Sequence, residues 1–480
     1  MIPSFFGDSR PRARFSRFIY SNGWIFWLLI CLTVLVSMPD MVSGNLLPKT
    51  FWATITVGIG FLLLPPRHPR RFSITPLGII WIGYLFWTLL SAAWALSPRV
   101  VYDRWLALLL PTFAYLIAKR TRFWKSDKFW LGFSLLTGLV ALIGISQYFF
   151  PSFPFINSLP GTAVPRATMG NRNYAGMYFM LVLPFLGWIY FKTAGKTRLP
   201  VSLSFFLAVT LILIVRTRGA WLGLIVGSGF ILVGIFDRKK RTAAGYDRIG
   251  FYKKKLYWII TLIISLLIIN AVYTPKTKQS LIKTITHFFN DPTRWGYWKS
   301  CLGITGPIVG CGFGNFPITI TPELRTGQVE TLNFDVHNDY LQAYLDLGIP
   351  GLLIFILFFG YLFYLAWRGR RQSIILAAGA AVAGLLAMQF TTFLSEKISS
   401  QIWLAGVVAM INSQGKVRPV FCKTAPRWLT YSGNYAAATG LFVFAVVVGY
   451  AIRGDLTFRE TQKMIIQYYD DARLVEGAGN

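Results

Sequence analysis

Histidine is scarce in this chain: three occur in 480 residues, His68, His287 and His337. His337 heads the run His337-Asn338-Asp339-Tyr340, shortly before Gly348 and a long apolar stretch. An imidazole titrates near neutrality, so it suits the task of accepting a proton from a hydroxyl group. A lone loop histidine commonly has no special role, and that reading stands beside the catalytic one. Asp335 and Asp339 flank it at i−2 and i+2, a spacing that permits weak metal ligation but no more. No further ligand pattern accompanies them, and neither a metal nor another cofactor is expected.

Cations supply the second chemistry. Arg216-Thr217-Arg218-Gly219 forms a turn between two apolar stretches. Its guanidinium groups would either reach for lipid headgroups or bind a phosphate through paired hydrogen bonds. Arg294 with Trp298 precedes Gly310-Cys311-Gly312-Phe313-Gly314-Asn315-Phe316. Glycines at this spacing invite a nucleotide-loop reading, but no strand–glycine–helix unit surrounds them and no Gly-Lys-Ser/Thr follows. A tight turn that brings Arg294 near the membrane is the expectation. The run Gly170-Asn171-Arg172-Asn173-Tyr174 starts another apolar stretch. Helix capping by Asn171 or Asn173 and substrate contact by Arg172 and Asn173 explain it equally well.

These residues need elements to position them, and composition says which. The chain is 54% hydrophobic and 14% charged, with a mean hydropathy of +0.52. Its apolar residues come in blocks approaching the ~20 residues of a membrane-spanning helix, without one-sided periodicity. Spans are expected near 22–38, 50–64, 76–96, 100–118, 129–150, 173–191, 199–215, 219–236, 256–273, 348–367, 373–394, 398–412 and 433–451. The fold class is therefore an all-α polytopic membrane protein of about 12–13 transmembrane helices with one large, partly helical periplasmic loop. Arg10, Arg12, Arg14 and Arg17 before the first span read as the start of a retained signal anchor.

The net charge of +30 would suggest nucleic acid in a soluble chain, but its placement removes that need. With a cytoplasmic N-terminus, every strongly basic short loop falls on one side, among them Arg67–Arg71, Lys119–Lys128, Arg238–Arg241 and Arg368–Arg371. The same parity puts Asn173, Arg218, Arg294 and His337 together on the other side. The expected organisation is helices in 1–273, a periplasmic loop or lid in 274–347, helices in 348–451 and a periplasmic tail in 452–480. Residues 456–475 of that tail would form an amphipathic helix. Cys301 and Cys311 share the long loop and could pair if it is extracytoplasmic.

The order of these motifs resembles the O-antigen ligase and polymerase superfamily of bacterial membrane glycosyltransferases. The likeness is carried by Gly170–Ala175, Thr217-Arg218-Gly219-Ala220, Arg294 with Trp298, Pro307–Phe316, and His337–Leu341 leading to Gly348 and Gly351. The resemblance implies an undecaprenyl-diphosphate-linked glycan donor at the periplasmic face of the bacterial inner membrane. It implies that Arg218 and Arg294 hold the diphosphate and that His337 activates the acceptor hydroxyl or orients the donor. Arg216, Asn173, Arg172, Asn338, Tyr340 and Trp298 would line the substrate. Inversion at the anomeric carbon with no obligatory metal belongs to the same implication. The leading expectation is a ligase acting on lipid A–core. The alternatives are an O-antigen or exopolysaccharide polymerase, a protein O-oligosaccharyltransferase and, more remotely, a small-anion (bicarbonate) transporter. The span near 433–451 and its outer tail depart from the family pattern.

Overall fold

A computed structural model describes residues 22–38, 46–64, 71–150, 159, 165–239, 292–304, 308–325, 336–392, 397–414, 418–424 and 426–477. Among the described residues, twelve apolar helices build a bundle. They are α1 (Asn22–Val34), α2 (Leu47–Leu63), α3 (Pro76–Leu90), α4 (Pro98–Thr121), α5 (Asp127–Phe149), α6 (Arg172–Lys192), α7 (Arg198–Val215) and α8 (Arg218–Lys239). After two short loop helices, α9 (Pro292–Ile304) and α10 (Phe316–Arg325), come α11 (Asp339–Gly369), α12 (Ser373–Met388), α13 (Ile398–Gln414) and α14 (Arg427–Gly477). These follow the expected spans; the one expected at 256–273 lies outside the described residues. Helices are what a lipid solvent demands, because each backbone N–H and C=O must find its partner within the segment. Eight of them are long and apolar enough to cross a membrane. Ile82, Phe86, Leu232, Phe236, Val446 and Val447 stay exposed on the outside of the bundle, a surface stable only against lipid.

The two ends of the bundle differ. At one end, β1 (Arg71–Ile74) pairs antiparallel with β2 (Phe421–Thr424), joining loops far apart in sequence. The Arg120 guanidinium donates to the Leu64 carbonyl and to Asn434 Oδ1, both at 2.8 Å. Lys192 pairs with Asp127, and Arg370 lies 3.0 Å from Asp237. These are the loops that the charge pattern groups together. The opposite end gathers the others: Thr168 donates to the Val34 carbonyl (2.6 Å) and the Ser97 amide to Asn315 Oδ1 (2.8 Å). Among the described residues the loops thus divide between two ends of the bundle.

One seam registers the helices that matter here. Gly219, Gly223 and Gly227 form a glycine stripe on α8 that faces α12 in antiparallel order. A Cβ on Gly223 would lie 2.7 Å from the Gly384 carbonyl oxygen, and one on Gly227 2.7 Å from that of Ala380. With no hydrophobic drive between helices in lipid, close backbone approach through small residues supplies the attraction.

The long loop closes on the bundle through its own small core of Tyr297, Cys301, Phe316, Ile320, Val336 and Leu345. Gly310, Gly312 and Gly314 all have positive φ. A Cβ on Gly310 would meet the Asp346 backbone at 2.6 Å, and one on Gly312 would meet Ala95 at 2.5 Å. These glycines admit other parts of the chain: the Asp346 backbone at Gly310, Ala95 at Gly312 and the Arg104 side chain at Gly314. Asp346 gathers the loop, accepting from the Phe316 amide (3.2 Å) and from Gln342 Nε2 (3.1 Å). Gly348 (φ 67°, ψ −166°) breaks α11 just beyond it, in a region of backbone space essentially reserved for glycine. Residues 339–347 thus form a head set at an angle to the apolar shaft. Cys301 and Cys311 are both free thiols. The last helix, α14, runs 51 residues, about 76 Å at ~1.5 Å per residue against a hydrocarbon layer of ~30 Å. The expected 456–475 helix is therefore continuous with the last span; its side chains from 460 onward lie outside the described residues.

Candidate functional site

The end opposite the basic loops brings four chain segments together. The first is the start of α6. Gly170 turns with φ 81°, and Asn171 caps the helix, its Oδ1 accepting the Asn173 amide at 2.8 Å. Capping thus falls to Asn171, leaving the Asn173 side chain half-buried and Arg172 exposed. The Tyr174 ring lies beneath the Lys397 ammonium, 3.8 Å from ring centroid to Nζ.

The second segment is the α7–α8 turn. Arg216 ends α7 in the left-handed region (φ 50°) and is buried, while Arg218 begins α8 half-buried. The Trp221 indole donates to the Ile212 carbonyl (3.2 Å), bracing the turn from behind. This turn touches the first segment directly: a Cβ on Gly176 would lie 2.1 Å from Thr217 Oγ1. Arg218 also sits at a helix N-terminus, where unpaired N–H groups and the helix dipole favour an anion.

The third segment was not visible in the sequence. The apolar block expected to run to 394 stops being helical at Met388. There Thr391 turns its hydroxyl back onto the Met388 carbonyl (3.1 Å), a local bond that competes with helix continuation. The released residues Gln389–Thr392 lie between the arginine turn and the histidine segment. On one side, a Cβ on Gly219 would meet Thr391 Oγ1 at 2.2 Å. On the other, the Gln389 carbonyl accepts the Asp339 amide at 2.9 Å.

The fourth segment carries His337, held half-buried with φ 55°. Its neighbours fix it. Asn338 caps α11, accepting the Tyr340 and Leu341 amides at 3.0 and 3.1 Å. The Val336 carbonyl accepts the Trp298 indole N–H at 2.8 Å, and the Val336 amide donates to Gln342 Oε1 at 3.3 Å. Tyr340 donates its hydroxyl to the Leu386 carbonyl (3.0 Å) and packs on the Phe390 ring, 4.5 Å between centroids. Asn338, Tyr340 and Trp298 are therefore engaged in holding the histidine turn. Arg294 lies on α9 one turn before Trp298; its side chain is outside the described residues, as is Asp335. Among the described residues no group of three or more His, Cys, Asp or Glu side chains is placed to hold a metal.

Lys397, Gln389 and Thr391 join this end without having been singled out in the sequence. A lysine after an apolar block and a glutamine within one carry no motif; only the early end of α12 gives them a place. What the arrangement offers chemically is three cations, Arg216, Arg218 and Lys397, at the end of the bundle that also holds His337. The backbone around His337 is fixed by hydrogen bonds at Val336, Asn338, Asp339 and Tyr340.

Residues 203–356 match a family model described as O-antigen ligase. The match covers the arginine turn, the long loop and the histidine segment. It leaves the start of α6, Gln389 and Lys397 outside. No curated protein matches the chain.

Proposed function

From a multi-pass membrane chain whose residues 203–356 match an O-antigen ligase family model, we propose a transferase for a glycan carried on a lipid diphosphate. The donor is undecaprenyl-diphosphate-linked, the reaction takes place at the periplasmic face of the inner membrane, and the leading acceptor is a hydroxyl of lipid A–core. The observation that carries this reading is the junction of the Arg216–Arg218 turn with the His337 turn through Gln389–Thr391.

The chemistry follows from that junction. Breaking the anomeric C–O bond leaves a diphosphate, whose growing negative charge needs donors fixed in advance. Arg218 at the head of α8 and Arg216 beside it supply two such cations, Lys397 a third across Tyr174, and Arg294 a further one from the loop. Guanidinium groups stay charged and grip phosphate through paired N–H bonds, so no metal is required. His337 takes the proton from the acceptor hydroxyl as that oxygen attacks the anomeric carbon. A left-handed backbone at a histidine costs about 1–2 kcal/mol, and the hydrogen bonds at Val336, Asn338, Asp339 and Tyr340 offset that cost. A small-anion transporter would spread polar groups through the membrane depth, whereas these residues gather at one end.

The test is transfer by purified protein in nanodiscs, given a lipid-linked donor and separate lipid A–core, glycan and peptide acceptors. His337→Ala and Arg218→Ala are expected to abolish transfer while leaving thermal stability unchanged. Full activity from either variant removes that residue from the mechanism. Product on glycan alone replaces the ligase with a polymerase.

A further inference from the structure

Gln389 is fully buried, and neither its Nε2 nor its Oε1 has a hydrogen-bond partner. Only its backbone is used, the carbonyl accepting the Asp339 amide. A carboxamide shut away from water with both ends unmet is costly, and folded proteins rarely leave one so. Other buried atoms here also lack a partner, Trp27 Nε1 and Ser399 Oγ among them; what sets Gln389 apart is that both ends of one carboxamide are unmet, and where it lies. The next residue, Phe390, is 55% exposed and lies against Tyr340, three residues beyond His337. Next after Phe390, Thr391 packs over Gly219, which adjoins Arg218. Across the same turn Thr217 repeats the pattern. It stands just before α8, where a threonine hydroxyl normally caps the helix, yet its buried Oγ1 has no partner and rests over Gly176.

We propose that Gln389 is a substrate contact whose carboxamide hydrogen-bonds a carbohydrate hydroxyl at the junction of the arginine and histidine turns. The inference rests on the glycan-transfer reading above and adds a specificity-determining residue to it. A sugar hydroxyl both donates and accepts, and a carboxamide presents an acceptor and two donors in one fixed plane. The exposed Phe390 ring beside it offers a flat apolar face for the C–H side of a pyranose. A site that buries a hydrogen-bonding group for its substrate also rejects the analogue lacking that hydroxyl, because the protein group is then left unpaired.

The experiment compares wild type with Gln389→Met, which keeps length and volume and removes both polar atoms, and with Thr217→Val. Melting temperature, KM for donor, KM for acceptor and kcat are measured in the same nanodiscs. An unmet polar group contributes nothing to folding, so Gln389→Met is expected to melt at or above wild type. Its kcat/KM falls roughly tenfold, the loss of one neutral hydrogen bond. A rise confined to donor KM places the hydroxyl on the transferred sugar, and a rise confined to acceptor KM places it on the receiving one. A lower melting temperature in both variants makes these groups structural and overturns the inference. Undiminished transfer by Gln389→Met overturns it as well while leaving the transferase reading intact. An inactive wild type sinks that reading and this inference with it.

Discussion

The indole of Trp298 should matter to transfer although it need touch no substrate. Its N–H bonds the Val336 carbonyl at 2.8 Å, and Val336 is 1% exposed. Replacing it with phenylalanine keeps an aromatic ring and removes the donor, leaving a buried carbonyl unmet at a cost of about 1–3 kcal/mol. That carbonyl belongs to the residue before His337, whose left-handed backbone (φ 55°) already carries about 1–2 kcal/mol of strain. The lost bond is thus of the same size as the strain it helps to hold, and extended backbone becomes a real competitor at His337. At about 1.4 kcal/mol per factor of ten, Trp298→Phe is expected to lower kcat/KM by roughly tenfold or more, with donor KM little changed. Trp295→Phe is the control: Trp295 packs edge-on against Trp298 at 5.3 Å but is 65% exposed. The assay is transfer with saturating donor by both variants. If Trp298→Phe and Trp295→Phe match each other within twofold, the indole does not hold the histidine turn and the reasoning fails.

Two further outcomes test the frame around the site. Gly223→Leu places side-chain atoms where a Cβ alone would lie 2.7 Å from the Gly384 carbonyl, so a melting-temperature drop worth about 1–3 kcal/mol is expected. Gly229→Leu on the same helix, with nothing within 4 Å of its Cβ position, should melt like wild type, and equal behaviour of the pair would refute the seam. Cys422 is exposed in β2 at the basic end, whereas burial and then the Asp346 carboxylate push the Cys311 thiol far up and burial holds that of Cys301 up near 11. A membrane-impermeant maleimide should therefore label Cys422 in inverted vesicles and leave spheroplasts unlabelled; labelling in spheroplasts would invert the topology.

Much of this architecture could be read from the chain because lipid imposes coarse rules. Apolar blocks such as 129–150 and 199–215 have one way to satisfy their backbone, and the loops between them sort by charge. Arg218 and His337 stood out for the opposite reason, as polar chemistry where the surroundings offered none. Their meeting could not be read, since it depends on where α12 stops. Nothing in Leu385–Phe390 announces an end; the end comes from the Thr391 hydroxyl reclaiming the Met388 carbonyl and from Gln389 bonding another segment. Asn171 and Asn173 were interchangeable as caps until the backbone put the Asn171 carboxamide against the Asn173 amide. The glycines from Gly310 to Gly314 read as a tight turn, and what lies against them is the chain itself: the Asp346 backbone, Ala95 and the Arg104 side chain.

The seam between α8 and α12 has a consequence for how such a protein can change. At Gly223 and Gly227 main chain rests on main chain, while beside Arg218 the Gly219 contact is to the Met388 and Thr391 side chains; along most of the joint the spacing of the two rods is set by backbone. Substitutions on the outer sides of either rod can accumulate without tilting Arg218 away from its place. The register of the two helices then persists while the side chains around that end change.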